Sequence, residues 1–198
     1  MSVCYTLGEG LGRLGCISFG CCYGKPVNQC SRWLQSLFRR MNFCFTGPTK
    51  KAVYEGKLSG QELVPIQAIT AVFYTATALA GCFLILHGWY LQALLFSIVV
   101  SQGWRIVSEV FRADFRGFSK ISAYQKMGLV AIVYIAVVVG LLPHEPTSIP
   151  QLDAGLRYLW HPGVILGLQI MWLAFFIIFG RSTITMSEVT INLREERI

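Results

Sequence analysis

Charge is scarce in this sequence: Asp, Glu, Lys and Arg make up 14% of its 198 residues. A soluble domain carries about a quarter. The deficit lies in long apolar runs, and 54% of the chain is hydrophobic, which excludes an ordinary water-soluble globule and makes lipid the expected solvent. No Lys/Arg-rich run interleaved with aromatics is present. That absence argues against a nucleic-acid partner despite the net charge of +7. An anionic phospholipid surface is the more natural counter-charge. No cysteine pair has the C-x-x-C spacing of a zinc site or redox dithiol. The seven cysteines are odd in number, so they cannot all pair within the chain. The opening residues lack the basic start and apolar core of a signal peptide.

What is there reads as membrane helix. Residues 68–86 form an apolar stretch long enough to cross about 30 Å of hydrocarbon. His87-Gly88-Trp89-Tyr90 is a tight break with interfacial aromatics, and residues 91–111 run back as a second span. Residues 127–142 and 163–179 give a third and a fourth. Residues 1–13 are too short to cross and are Gly-rich; they read as the end of a spanning helix in an N-terminally shortened chain. The predicted fold is therefore an all-α polytopic bundle of about four spans plus a partial N-terminal span. It forms one catalytic-type domain over residues 1–180, with a polar head loop at 25–67 and a polar tail at 181–198. Within the head, residues 32–41 carry Trp33, Leu34, Leu37 and Phe38 among arginines, the pattern of a short amphipathic helix at a lipid interface.

Two places can carry chemistry. In the second span Gln102, Arg105, Glu109 and Arg112 recur along one helix face. Ionisable residues inside a span are costly and usually face a cavity or a partner. The bland alternative is an Arg105–Glu109 pair that merely neutralises itself at i, i+4. The second place is the stretch from Gly12 to Pro26, where Arg13 sits among glycines that let a backbone or ligand approach closely. Its bland alternative is tight helix packing, with Arg13 reaching for the interface. Arg13 and Arg105 together suit one phosphate, which guanidinium groups bind bidentately. Cys16, Cys21, Cys22 and Cys30 form a further cluster in sequence, open to disulfide or soft-metal chemistry. Cys82 reads as a small apolar residue within a span, and His87, His144 and His161 as loop or interface residues.

The string Gly12-Arg13-x-Gly15-Cys16-x-x-x-Gly20-Cys21-Cys22-Tyr23-Gly24-x-Pro26 resembles the signature of the prolipoprotein diacylglyceryl transferase family, in its cysteine-containing form. Pro65-Ile66-Gln67 is similar to the Pro-x-Gln that opens a spanning helix there. The run from Arg105 to Gly117 is similar to the family's Arg-x-x-x-Glu-x-x-Arg run. The three motifs come in family order between Gly8 and Leu142. The resemblance implies transfer of the diacylglyceryl group of phosphatidylglycerol to the lipobox cysteine of a prolipoprotein, with neither metal nor organic cofactor. It implies phosphatidylglycerol, prolipoprotein signal peptides and membrane lipid as partners, and a multi-pass monomer in the bacterial plasma (inner) membrane. It points to Arg105 and Glu109 as catalytic residues, Glu109 orienting Arg105 or relaying a proton. Phosphatidylglycerol would be held by Arg13, Arg105, Gly12, Gly15, Gly24, Tyr23 and Gln67.

The departures are specific. Cys16 and Cys21 stand where many members have Asn and Glu. Val64-Pro65-Ile66-Gln67-Ala68-Ile69-Thr70 lacks the histidine, tyrosine and glutamate of the corresponding family stretch, and the family's upstream His-Gly-Gly has no counterpart. No thiol-activating base is therefore evident. Orientation is contested: if all four spans cross, nearly all loop Lys and Arg fall on the head-loop side, with Arg157 alone opposite. That distribution favours a cytoplasmic head. The resemblance implies an outward-facing one, which is the expectation retained. Two alternatives to the enzyme stay open: a non-catalytic homologue that binds phospholipid or lipoprotein, and a membrane thiol-redox or metal protein built on Cys16, Cys21, Cys22 and Cys30.

Overall fold

The computed structural model describes residues 1–114, 121–141 and 149–179. The polar tail at 181–198, His144, and Phe115, Arg116 and Gly117 of the arginine-rich run lie outside the described residues. The chain divides into two compact units, Met1–Pro150 and Gln151–Ile198.

The first unit is a helical bundle. α1 (Ser2–Phe19), α4 (Ile66–Leu86), α5 (Tyr90–Val110) and α6 (Ala123–Leu141) form it, and α4, α5 and α6 are each long and apolar enough to cross a membrane. Their starts and stops follow local chemistry. Pro65 stands immediately before α4, and Gly88, at φ +78°, turns the chain between α4 and α5. The third span begins earlier than the expected residue 127, because Ser122 and Gln125 form a reciprocal capping box: Gln125 N–H donates to Ser122 Oγ at 3.1 Å, and Ser122 N–H to Gln125 Oε1 at 3.0 Å. The N-terminal helix likewise runs past the expected Arg13 to Phe19.

Inside the bundle hydroxyl side chains are buried among small and apolar ones, and large apolar side chains face outward. Thr70, Thr77, Ser97, Ser101 and Ser108 are buried between helices, while Val72, Leu79, Phe83, Val99, Val107 and Val133 are exposed. Where lipid replaces water, helices associate through small residues and interhelical hydrogen bonds rather than apolar burial. Accordingly Tyr74, buried on α4, donates its hydroxyl to the Ser101 carbonyl of α5 at 2.9 Å, and Trp104 Nε1 donates to Thr70 Oγ1 at 3.1 Å. α1 closes onto α4 at Gly10, where an added Cβ would lie 3.0 Å from Tyr74 Cβ and 3.3 Å from the Ala71 carbonyl oxygen. Close helix packing therefore belongs to Gly10, and not to Gly12 or Gly15, whose surroundings are open.

Between α1 and α4 the chain folds as a small head. Strands β1 (Phe43–Cys44) and β2 (Glu62–Leu63) pair antiparallel, with Phe43 opposite Leu63. α3 (Lys51–Tyr54) brings Ala52 against Tyr23, Phe45 and Leu63 in one apolar cluster. The amphipathic helix α2 spans Arg32–Phe38, shorter than the expected 32–41. It buries Phe38 against Val27, Val64 and Ile66 and leaves Trp33 and Leu37 exposed.

In the second unit, α7 (Leu152–Leu159) and α8 (Pro162–Phe179) meet at a bend of 63° and together qualify as one broken span or re-entrant pair. α8 coincides with the expected fourth span, and its side chains from Leu166 to Ile178 are largely exposed and apolar.

Candidate functional site

The C-terminal end of α1 determines the site. Its last turn closes with a Schellman motif: Gly20, at φ +63°, donates to Ile17 O at 3.2 Å, and Cys21 N–H returns to Cys16 O at 3.1 Å. The 6→1 bond folds Cys21 back over Cys16. Cys22 follows at φ +54°, a left-handed conformation that a residue with a Cβ seldom adopts. The sulfurs of Cys16, Cys21 and Cys22 thereby gather within 4.8 Å of one another. Cys30 is not part of this trio; it packs against the cluster formed by Val27, Phe38, Val64 and Ile66. All seven cysteines are unpaired.

Beyond Cys22 the chain is held like a strand. Val64 N–H donates to Lys25 O at 3.0 Å, Lys25 N–H to Phe111 O at 2.8 Å, and Ala113 N–H to Tyr23 O at 3.1 Å. Gly24 bridges to Arg112 in antiparallel fashion. This segment docks the ends of α1 and α5 together under the head. Gly24 must lack a side chain: an added Cβ would overlap the Val64 carbonyl oxygen and lie 2.9 Å from Val64 Cβ. Tyr23 is 3% exposed, its ring in the head cluster and its carbonyl on α5's end. Burial, with the charges of Glu55 and Asp114, pushes its phenol up to about 12. Both residues build the loop that shapes the site.

The two expected arginines come together, and what joins them is Glu9. Arg13 donates to Glu9 Oε1 at 2.8 Å, and Arg105 of α5 reaches the same oxygen at 3.9 Å. Tyr124 of α6 lies against Arg105, its ring centroid 5.4 Å from the guanidinium carbon. Glu109, expected to orient Arg105, is paired with Arg112 at 3.7 Å, and Arg112 also grips Asp114 at 2.9 Å. Burial works against the charge on Arg112, yet the Asp114 hydrogen bonds and the negative charges of Asp114, Cys22 and Glu109 hold its pKa above the ordinary value. Hydrogen bonds from Cys16 and Cys21 pull the Cys22 thiol far below its usual range; burial opposes them, and Arg112 and Arg13 add to them. The Cys21 thiol moves the opposite way, raised by its hydrogen bonds with Cys16 and Cys22 and by burial.

Gln67, 1% exposed at the start of α4, donates Nε2 to the Cys21 carbonyl at 3.0 Å. Three buried polar atoms in this region have no partner: Glu9 Oε2, Arg13 Nε and Gln67 Oε1. Buried polar groups are nearly always satisfied, so a donor and two acceptors left open are candidates for a ligand's polar groups. Gly12 and Gly15 leave the adjoining face of α1 open. Beneath the head, Trp33, Leu37, Val64, Ile69, Trp104 and Phe111 line an apolar cavity of about 390 Å³.

Sequence reasoning placed Arg13, Arg105 and Gln67 at the site but passed over Glu9 and Arg112 as site members. Glu9 had a signal: an acid four residues before Arg13 in an otherwise apolar helix.

No curated protein and no solved structure matches the chain. A family model, that of prolipoprotein diacylglyceryl transferase, matches residues 1–141, which take in the whole of the site just described. With more than half its length so matched, the chain belongs to the prolipoprotein diacylglyceryl transferase family.

Proposed function

We propose that this protein transfers the diacylglyceryl group of phosphatidylglycerol to the lipobox cysteine of prolipoproteins, as a multi-pass monomer in the bacterial inner membrane with its head facing outward. One observation carries the reading: guanidinium groups from two helices converge on one oxygen of Glu9, whose other oxygen is buried and, like Arg13 Nε and Gln67 Oε1, has no partner. The headgroup of phosphatidylglycerol fits those atoms. Its phosphate accepts from Arg13 Nε and from Arg105, and a glycerol hydroxyl donates to Gln67 Oε1, which leaves Glu9 Oε2 open. The apolar cavity under the head suits an acyl chain.

In the transfer, the lipobox sulfur attacks the glyceryl carbon that carries the phosphate. A carbon–sulfur bond forms, the carbon–oxygen bond breaks, and glycerol phosphate leaves with the electron pair. Arg13 and Arg105 stabilise the charge on the departing phosphate. The thiol proton passes to a carboxylate. Glu9, whose Oε2 has no hydrogen-bond partner, is positioned to receive it. Glu109 serves to hold Arg112, and through it the loop carrying Tyr23 and Gly24.

The test is thioether formation on a lipobox peptide by the purified protein in phosphatidylglycerol vesicles. The expected result is a product that requires phosphatidylglycerol and forms much more slowly in Arg13→Ala and Arg105→Ala. Tight phosphatidylglycerol binding with no thioether formed would leave a binding homologue and overturn the enzymatic reading.

A further inference from the structure

The transfer reaction as proposed makes no use of the three-sulfur cluster, although the backbone goes out of its way to assemble it. Three local features converge: the Schellman return that sets Cys21 over Cys16, the left-handed Cys22, and the Gln67 hydrogen bond that fixes the Cys21 carbonyl. All three thiols are partly buried and unpaired. We propose that Cys16, Cys21 and Cys22 form a binding site for a soft metal ion, copper(I) in preference to zinc(II).

The dimensions fit. A metal–sulfur bond of about 2.3 Å puts three sulfurs of a trigonal site about 4 Å apart. The three thiols already lie within 4.8 Å of one another, so small rotamer changes close the site. The donor set selects the ion. Thiolates are soft ligands, which excludes magnesium and calcium. A closed zinc(II) site takes four protein ligands, and Cys30, the next cysteine along the chain, is packed into the head instead, so zinc would need water as its fourth ligand. Copper(I) is satisfied by three sulfurs. Binding displaces whatever thiol protons the three sulfurs still carry, with no change of oxidation state. The loaded site carries negative charge, and the Arg13 and Arg112 guanidinium groups lie near enough to Cys22 to offset it. A bound ion would staple the last turn of α1 to the loop that docks on α5.

The inference is independent of transfer activity and is tested without it. Anaerobically reduced protein in detergent is titrated with copper(I) against a chromophoric chelator, and with zinc(II) in a parallel experiment. Alkylation and peptide mapping follow, with and without the metal. One copper(I) per chain is expected, together with protection of Cys16, Cys21 and Cys22 while Cys4, Cys44 and Cys82 stay reactive. Cys22→Ser should lower copper(I) affinity at least tenfold, and Cys30→Ser should leave it unchanged. Equal protection of all cysteines, no stoichiometric copper(I) uptake, or tighter zinc(II) than copper(I) binding would each overturn the proposal. The mapping on unaltered protein decides the matter even if a serine variant fails to fold.

Discussion

Removing Arg13 and Arg105 singly and together is the sharpest probe of the proposed phosphate site. Both guanidinium groups reach one Glu9 oxygen, at 2.8 and 3.9 Å, so they are close enough to share a single phosphate. A hydrogen bond to a charged group contributes about 1.5–3 kcal/mol. At about 1.36 kcal/mol per factor of ten, each alanine variant should lose roughly ten- to hundredfold in kcat/KM. The two losses should not be equal. Arg13→Ala removes the nearer partner and leaves Glu9 a partly buried carboxylate with only the looser Arg105 contact, so it costs more than Arg105→Ala. Adding Glu9→Gln to Arg13→Ala removes the stranded charge and should restore part of the phosphatidylglycerol binding, though not the rate if Glu9 takes the thiol proton. The assay is initial thioether formation over a range of phosphatidylglycerol mole fractions, with binding measured separately on the same vesicles. Residues sharing one ligand are coupled, so the double variant should depart from additivity by more than about 0.5 kcal/mol. Strict additivity, or an Arg105→Ala variant that transfers as well as the parent, would refute the shared-phosphate reasoning.

Two further outcomes follow from the loop beneath the head. Gly24→Ala forces a Cβ into Val64, an overpacking that costs about 1–3 kcal/mol; it should lower the thermal midpoint in detergent and, by displacing the bridged Arg112, slow transfer as well. Tyr23 ionises at about 12 when folded and near 10 when unfolded, so its contribution to stability is present below about pH 10 and is lost as pH rises toward 12. Tyr23→Phe should flatten that alkaline decline in a pH series of thermal midpoints, and an unchanged decline would assign it to other groups.

The membrane helices were legible because the signal is local. An apolar run of spanning length has few ways to satisfy its backbone except as a helix, so 68–86 and 91–111 fall within two residues of α4 and α5. Where the reading slipped, it followed apolarity and overlooked capping. The third span was placed from residue 127 because hydropathy rises there, yet Ser122 and Gln125 start the helix four residues sooner. In α2 Arg39 and Arg40 continue the amphipathic pattern in sequence, but the helix ends at Phe38, which is buried in the head core.

The site was legible in its residue types and not in its pairings. Helical periodicity sets Arg105 and Glu109 on one face and so suggests that they pair, since nothing within a single helix offers a better partner. The fold supplies one. Glu9 already meets Arg13 one turn along α1, and with Gly10 letting α1 settle against α4 it also reaches Arg105 of α5, while Glu109 pairs with Arg112. The same holds for the cysteines. Four of them looked like one cluster along the chain, but the Schellman turn gathers three and the head core takes Cys30. A charge buried in a span has to find its partner, but which partner depends on how closely neighbouring helices approach. In this bundle that approach is set by Gly10 on α1, by Gly81 on α4, where an added Cβ would lie 2.7 Å from Val3, and by Gly24 in the loop after α1, so changing one of them should re-pair the charges before it unfolds the helices.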